Sequence, residues 1–370
     1  LKVLITGGAG FIGSHTADLL LRRGYEVRVI DSLEPPVHRH RDKPGYLSDE
    51  VEFIMGNIGD RDAMEKALQG VDAVLHLAAY QDYLTDFSKF AVVNDAGTAL
   101  LYELIVNRKL PVRKVILGSS QAVYGEGKYQ CSEHGTVYPP PRPLAQLERG
   151  EWEVRCPSCG RNMKPLLIDE AKVNPHNQYA VSKYSQELYA LTLGRRFDIP
   201  TVVLRYSITQ GPRQSFYNAY SGILRIFTIC LLNDMPPIIY EDGRQLRDYV
   251  HVGDVAEANV VALENDAADF EVFNVGSGQA TTVLEYAARL NALLGKDIKP
   301  RIPGEFRLGD SRHAVSDISK LRGLGWRPKL SLEDIINEYL HWAQDRVVAS
   351  GLHTEAHRVM KQLGVVRSRR

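Results

Sequence analysis

The 370-residue sequence lacks any uncharged apolar run of 18 residues; its longest oily stretch, around Ile223 to Leu232, is interrupted by Arg225, so no membrane span is expected. Charge of one sign is missing too. The 45 Lys and Arg balance 45 Asp and Glu, which argues against a nucleic-acid partner and means that any bound anion must be met by local donors. Cysteine is scarce: Cys131, Cys156, Cys159 and Cys230 are the full set, no disulfide framework for a chain this long, and a reducing, cytoplasmic setting is expected. The first 13 residues have no basic start followed by an apolar core and a cleavage site; they read as strand and turn. The chain begins at Leu1 rather than Met, so upstream residues are expected.

Short β-branched runs are present instead, alternating with helical patterns. Lys2–Ile5, Glu26–Ile30, Glu52–Met55, Ala73–Leu77, Lys114–Leu117 and Thr201–Leu204 read as strands. Helices are expected over Ile12–Arg23, Arg61–Leu68, Asn94–Val106 and Tyr179–Arg196, the first stopped by Gly24 and the second by Gly70. This is an α/β pattern, a doubly wound parallel sheet covered on both faces. Residues 1–205 form its nucleotide-binding domain. Residues 206–345 form a smaller mixed substrate-binding region, with helices at 281–294 and 331–348, strands at Asp248–Val252 and Glu271–Val275, and the chain returning to the first domain. The tail, 346–370, carries Arg346, Arg358, Lys361, Arg367, Arg369 and Arg370 and is expected as a solvated helix with a frayed basic end. Residues 126–175, rich in Pro, Gly and charge, stand outside the alternation as an insertion without helical period.

Gly7, Gly10 and Gly13 follow the first strand and open the first helix. The first lets the strand turn, the second clears space for a pyrophosphate, and the third lets the helix lie close to the sheet, its free N–H groups aimed at the anion. Asp31 ends the second strand, where a carboxylate accepts ribose hydroxyls and repels a 2′-phosphate, so NAD is expected over NADP. Arg39 and Arg41 are close enough in sequence to temper that preference. Asn57 reads equally as an adenine contact or a turn residue.

Ser119 and Ser120 lie just beyond the fifth strand, at the carboxyl edge where open α/β sheets bind ligands. Tyr179 and Lys183 stand four residues apart, on one helix face. A phenol is a poor base at neutral pH, and a neighbouring ammonium stabilises its phenolate. The three side chains Ser120, Tyr179 and Lys183 thus form a set for removing an alcohol proton while a nicotinamide takes the hydride.

The strings TGGAGFIG (6–13), HLAA (76–79), SSQAVYG (119–125), YAVSK (179–183), LRYSITQGPR (204–213) and RDYVHVGDVA (247–256) resemble the extended short-chain dehydrogenase/reductase family, in its nucleoside-diphosphate-sugar epimerase and dehydratase branch, over about residues 1–345. The resemblance implies a Rossmann-type fold, a tightly held NAD that is reduced and reoxidised within one turnover, Tyr179 as base, Lys183 on the nicotinamide ribose and Ser120 at the reacting hydroxyl. The cofactor set it outlines is Gly7, Gly10, Phe11, Ile12, Gly13, Asp31, Asn57, Ile58, Leu77, Ala78, Ala79, Asn94, Tyr179 and Lys183. A homodimer pairing the helices near 94–106 and 179–196 is implied as well.

Two departures bear on subclass. Dehydratases of the branch place an Asp-Glu pair directly after the catalytic hydroxyl; here stand Gln121 and Ala122, neither an acid nor a base. Ile208 replaces the Asn that meets a diphosphate in sugar epimerases. Arg247, and Arg307 with Asp310, resemble the family's contacts to phosphate and ribose, and Arg213 is a further phosphate candidate. Tyr80 and Gln81, beyond HLAA, are placed to face the sugar with Ser120 and Gln121. A C4 epimerase acting on a nucleoside-diphosphate hexose is favoured; a related dehydrogenase, reductase or decarboxylase, a dehydratase, and a noncatalytic scaffold are the alternatives.

Cys131-x2-His134 and, further on, Cys156-x2-Cys159 have the spacing of a four-ligand tetrahedral zinc site. With all four ligands from protein the metal is structural, and it orders an insertion short of apolar residues as a zinc-ribbon-like loop. A redox pair or spare thiols at Cys156 and Cys159 are the alternative; Cys230 reads as a core thiol. The insertion, with QAVYGEG (121–127), GPRQS (211–215), NAYSGILRIF (218–227) and IYEDGRQLRDYVHV (239–252), is similar to dTDP-L-rhamnose 4-epimerases, which brings a dTDP-6-deoxyhexose into the expected substrate class.

Overall fold

The computed structural model describes residues 1–35, 37–82, 85–215, 222–344 and 351–369; Asn218–Ser221 of the string above, Arg346 and Arg370 lie outside them. Seven strands make one parallel sheet: β1 (Lys2–Thr6), β2 (Glu26–Asp31), β3 (Glu52–Met55), β4 (Ala73–His76), β5 (Lys114–Ser120), β6 (Thr201–Tyr206) and β7 (Val272–Val275), in the order β7-β6-β5-β4-β1-β2-β3. The order reverses direction between β1 and β4, the switch point at which open α/β sheets leave a crevice for a ligand. Strand alternation assigns the two cores. Val3 and Ile5 of β1 pack on one face with Ala17 and Leu20 of helix α1 (Phe11–Arg22). Leu4, on the other face, joins Met64 and Leu68 of α2 (Arg61–Leu68), Leu101, Tyr102 and Ile105 of α3 (Gly97–Asn107) and Ala190 of α4 (Gln178–Arg196).

All six strands expected in the first domain are present, Glu52–Met55 with the bounds expected and the others with their C-terminal ends moved by one to three residues. Gly24 and Gly70 adopt φ of +81° and +67° where helices were expected to stop. One helix differs: the turn before α3, Ala91–Ala96, is a π-helix, which places the amide of buried Asn94 on both backbone groups of Tyr80, N–H to Oδ1 at 2.7 Å and Nδ2 to O at 3.0 Å.

Beyond β6 the chain forms a third core from α5 (Gly222–Leu232), α7 (Val283–Leu293) and α8 (Leu332–Ala343) around Phe227, Tyr249, Tyr286 and Tyr339. Between them α6 (Val252–Glu264) and β7 return to the large sheet. The expected strand Asp248–Val252 is replaced by two shorter ones, Leu246–Arg247 pairing with Thr281–Thr282 and Tyr249–His251 pairing with Ile208–Gln210. The insertion carries secondary structure of its own. It has a one-turn helix, Leu144–Glu148, and a three-stranded antiparallel sheet of Gly135–Val137, Tyr129–Cys131 and Lys164–Pro165. The tail also departs from the frayed end expected: α9 (Gly351–Gln362) is followed by Val366–Ser368, which pairs antiparallel with Glu305–Arg307.

Candidate active site

A cavity of about 630 Å³ runs from the turn after β1 across the carboxyl ends of the sheet to the third core. At one end lie Gly7, Gly10, Phe11, Ile12 and Gly13. A side chain at Gly13 would place Cβ 2.4 Å from the Gly7 carbonyl oxygen, and Gly7, at φ +67°, sits where a Cβ would strike the Ala78 backbone at 2.7 Å. Asp31 stands at the same end. Its Oδ2 accepts from Ala9 N–H at 3.0 Å and its Oδ1 from Leu33 N–H at 2.9 Å, and a carboxylate oxygen has capacity for a second donor. Ile58, Leu77, Ala78 and Ala79 line the walls as expected; Asn57 lines the cavity and also accepts from Gly59 N–H at 2.8 Å, so it is turn residue and wall together. These residues fit a dinucleotide with an unphosphorylated ribose. Arg39 and Arg41 are not among the lining residues; His38 is, with Nε2 3.8 Å from Asp31.

Asn94 corrects an expectation. It is fully buried, is not a lining residue, and spends its amide on Tyr80 and on the Ser182 hydroxyl at 2.8 Å. Its amide therefore positions the Tyr80 wall and the α4 helix. Tyr80 and Gln81 do line the cavity, the Tyr80 hydroxyl donating to Asp86 at 2.6 Å.

At the middle of the cavity β5 ends in Ser119 and Ser120, and α4 begins with an Asn177 cap that accepts from Ala180 N–H at 2.8 Å. Tyr179 and Lys183 are both buried and both line the cavity, and a hydrogen bond joins the Tyr179 and Ser120 side chains. Burial pushes the phenol up to about 12, with the Ser120 bond opposing; burial lowers the Lys183 ammonium to about 8, with Glu187 and Asp95 opposing. Lys183 donates to Gln186 at 2.5 Å. Beneath them the Glu187 carboxylate accepts from Ser119 at 2.5 Å and from Arg205 at 2.6 Å, a buried, multiply bonded pair that fixes α4 to β5 and β6. Gln121 lines the cavity beside Ala122 in the turn after Ser120, so neither position directly after the serine supplies an acid. His176 was missed by the sequence reading. It lines the cavity, packs on Gly125, is lowered by burial, and its Nε2 is buried without a hydrogen-bond partner.

The far end holds Arg247, Arg307 and Asp310. Arg307 pairs with Asp310 at 2.8 Å and lies 5.1 Å over the Tyr240 ring. Arg247 is more committed than expected. It donates to the carbonyls of Leu246, Arg312 and Ser311 at 2.9, 3.0 and 2.9 Å, which leaves Nε–H and one Nη2–H for a ligand. Arg213 is a clear departure: it pairs with Asp18 at 2.7 Å, lies over the Tyr46 ring at 5.2 Å, and is not a lining residue. Ile208 lines the cavity as an apolar wall.

Cys131, His134, Cys156 and Cys159 converge in the insertion, their ligand atoms all within 4.8 Å of one another. The Cys131–His134 and Cys156–His134 separations are 3.5 Å, and Cys131–Cys159 is 3.7 Å. Ordinary zinc–sulfur and zinc–nitrogen bonds give tetrahedral edges of roughly 3.8 Å between sulfurs and 3.6 Å between sulfur and nitrogen, so the donors fit. Backbone N–H groups of Glu133 and His134 lower the Cys131 thiol, and those of Cys159 and Ser158 lower Cys156. Cys230 is a buried thiol raised by desolvation to about 11. A buried ion-pair chain ties the insertion to the far end of the cavity. Arg142 donates to Glu126 at 2.9 Å and to the Asp310 carbonyl at 2.8 Å, and pairs with Glu241 at 3.0 Å; Arg312 bridges Glu241, Asp242 and Glu153.

A doubly wound sheet with a glycine turn after β1, a carboxylate ending β2 and a Ser-Tyr-Lys set spanning β5 and α4 defines a Rossmann-fold enzyme of the short-chain dehydrogenase/reductase type. Residues 3–146 and 160–276 match the NAD dependent epimerase/dehydratase family, and the chain belongs to it; the break in the match falls inside the insertion. The chain is 36% identical over 347 residues to the dTDP-L-rhamnose 4-epimerase of Burkholderia thailandensis, covering 92% of this chain and 94% of that protein. It is 31% identical to a putative UDP-glucose 4-epimerase of Methanocaldococcus jannaschii, covering 93% and 98%. Among solved structures, the UDP-glucose 4-epimerase of Thermotoga maritima with UDP-glucose superposes with TM-score 0.77 at 31% identity, covering 94% of this chain and 100% of that one. The UDP-glucuronic acid 4-epimerase of Bacillus cereus in complex with UDP-glucuronic acid and NAD gives 0.76 at 27%, covering 94% and 100%.

Proposed function

We propose that this enzyme inverts C4 of a nucleoside-diphosphate hexose through a 4-keto sugar, a dTDP-6-deoxyhexose being the first substrate to test. The observation that carries the reading is one continuous cavity with Asp31 at one end, Ser120, Tyr179 and Lys183 in the middle and Arg307 with Asp310 at the other. When bound, NAD supplies hydride uptake and return at a carbinol carbon. Tyr179 accepts the C4 hydroxyl proton and later gives it back, and Ser120 hydrogen-bonds the same oxygen. Burial makes the phenol a weaker acid than usual; the Lys183 ammonium, one turn along α4, offsets this by stabilising the phenolate. With Gln121 and Ala122 after the serine, no second acid acts at C5 or C6. The 4-keto sugar has lost its configuration, and the hexose pivots about a diphosphate gripped by Arg307 and the remaining donors of Arg247 before presenting its other face.

The Cys131, His134, Cys156 and Cys159 set would hold one structural zinc, a reading supported by donor type and spacing. A homodimer is supported by apolar side chains left exposed on one of the two helical segments expected to pair, Val181, Leu188 and Tyr189, and just ahead of the other, Phe87 and Val92.

The test of the reaction is incubation of the purified enzyme, without added NAD, with dTDP-, UDP- and GDP-hexoses, followed by separation of C4 epimers. Interconversion without net cofactor consumption is expected. Stoichiometric NADH release on adding NAD would assign a dehydrogenase instead.

A further inference from the structure

The C-terminal segment is built into the cavity. His357 and Met360, three residues apart and so on one face of α9, line it together with Tyr240 and Arg307, and α9 packs against α5. Beyond the helix, Val365 accepts from Leu308 N–H at 3.1 Å, Val366 stands opposite Arg307 in the two-stranded ladder, and Arg369 N–H donates to Gly304 at 3.3 Å. The strand that carries Arg307 thus has the tail as its pairing partner.

Pleat alternation puts Glu305 and Arg307 on one face of that strand and Phe306 on the other. Phe306 is fully buried, its ring 5.9 Å from Trp152 of the insertion. On the cavity side, Glu305 pairs with Lys361 and, at 3.3 Å, with His357. The His357 ring lies nearly parallel to that of Tyr240, the centroids 6.0 Å apart, and shares a 2.9 Å hydrogen bond with its hydroxyl. Tyr240 in turn carries the Arg307 guanidinium over its ring. Ile223, Ile226, Phe227 and Ile238 line the same cavity as Met360, and so do Arg247 and Arg307, so Met360 adds an apolar wall to a cavity that also holds two guanidinium groups. A planar base attached to a diphosphate matches that chemistry: soft apolar contact for the ring, fixed cationic donors for the phosphates.

We propose that residues 357–369 form a specificity-determining part of the nucleotide subsite, Met360 covering the base while His357 positions Tyr240 and the 366–368 strand positions Arg307. The proposal rests on the nucleotide-sugar reading above and concerns which base is accepted.

The test is calorimetric titration of NAD-loaded, full-length enzyme with dTDP, UDP and GDP alone, which needs no turnover. Met360→Ala is expected to weaken the preferred diphosphate on the order of fivefold, the scale of about 1 kcal/mol of lost apolar contact, and to narrow the spread of affinities among the three bases. His357→Ala is expected to weaken binding by about tenfold, with substantial recovery in His357→Gln, whose amide can still bond Tyr240; NAD retention stays at the wild-type level in all three. Wild-type affinities and base ratios in both alanine variants would overturn the proposal. If diphosphate binding shifts as stated but no hexose is epimerised, the tail's role stands and the C4 reaction fails; if the wild type binds none of the diphosphates, both fail.

Discussion

Ser119 and Ser120 leave the end of one strand in opposite directions: the first donates to the Glu187 carboxylate at 2.5 Å beneath the cavity, the second bonds Tyr179 within it. Adjacent hydroxyls of identical chemistry therefore have separable duties. Ser120→Ala should lower kcat by roughly 10²- to 10³-fold through loss of a donor at the reacting oxygen, and Tyr179→Phe by roughly 10²- to 10⁴-fold with NAD still bound. Ser119→Ala should act on folding, removing one bond from a buried pair at about 1–3 kcal/mol. Steady-state kinetics and urea unfolding of all three decide it; a catalytic loss confined to Ser119→Ala would reverse the assignment.

Lys183 is a stability cost that the reaction requires. Burial lowers its ammonium to about 8, whereas an unfolded lysine titrates near 10.4. Between those values the unfolded chain holds more protons, so the group's penalty is full below about pH 8 and fades as pH rises through the unfolded value. Lys183→Met should then be more stable than wild type at pH 7 by up to about 3 kcal/mol, with the advantage gone near pH 11, while turnover and cofactor retention fall. Urea melts of cofactor-free protein across this range check it; an unchanged or reversed pH dependence would show that Lys183 is not buried as an ammonium.

Asp31→Ala should weaken NAD and reduce discrimination against NADP, because the carboxylate supplies both a hydroxyl acceptor and a repelling charge. His38, 3.8 Å away, is kept neutral by burial, and all the more so once Asp31 is gone, so it offers a 2′-phosphate a hydrogen-bond donor rather than a charge. Titration of both cofactors reads the ratio, and an unchanged ratio would make Asp31 a turn residue alone.

Elemental analysis of protein purified without added metal should find one zinc per chain. Stripping it, or Cys131→Ser with Cys156→Ser, should expose residues 126–175 to proteolysis and raise KM for the nucleotide sugar more than it lowers kcat, since Arg142 links the insertion to the Asp310 carbonyl. Fully folded, reduced protein without metal would refute the site.

What was legible in the sequence was local. Strand-turn-helix spacing located Gly7 to Gly13, a four-residue step located Tyr179 and Lys183, and two x2 spacings located the metal-ligand cluster that the fold brings together. What was not legible depends on partners far along the chain. The pairing of Val366–Ser368 with Glu305–Arg307 involves strands of three residues, too short to show a period. Arg213 resembled a phosphate contact until Asp18, nearly two hundred residues away, claimed it. Asn94 sits in helical sequence, and only the π turn aims its amide at Tyr80. His176 carried no motif at all; folding against Gly125 is what brings it to the cavity.

The most direct test of the C4 mechanism follows the hydrogen itself. A substrate deuterated at C4 is converted in ordinary water, and the unlabelled substrate in deuterated water, with NMR analysis of the product sugar in each case. Because Tyr179 and Ser120 handle only the hydroxyl proton, the account predicts that the C4 deuterium is retained and that no solvent deuterium enters any carbon. Solvent deuterium at C3 or C5 would contradict it and assign the inversion to an enolising or dehydrating route.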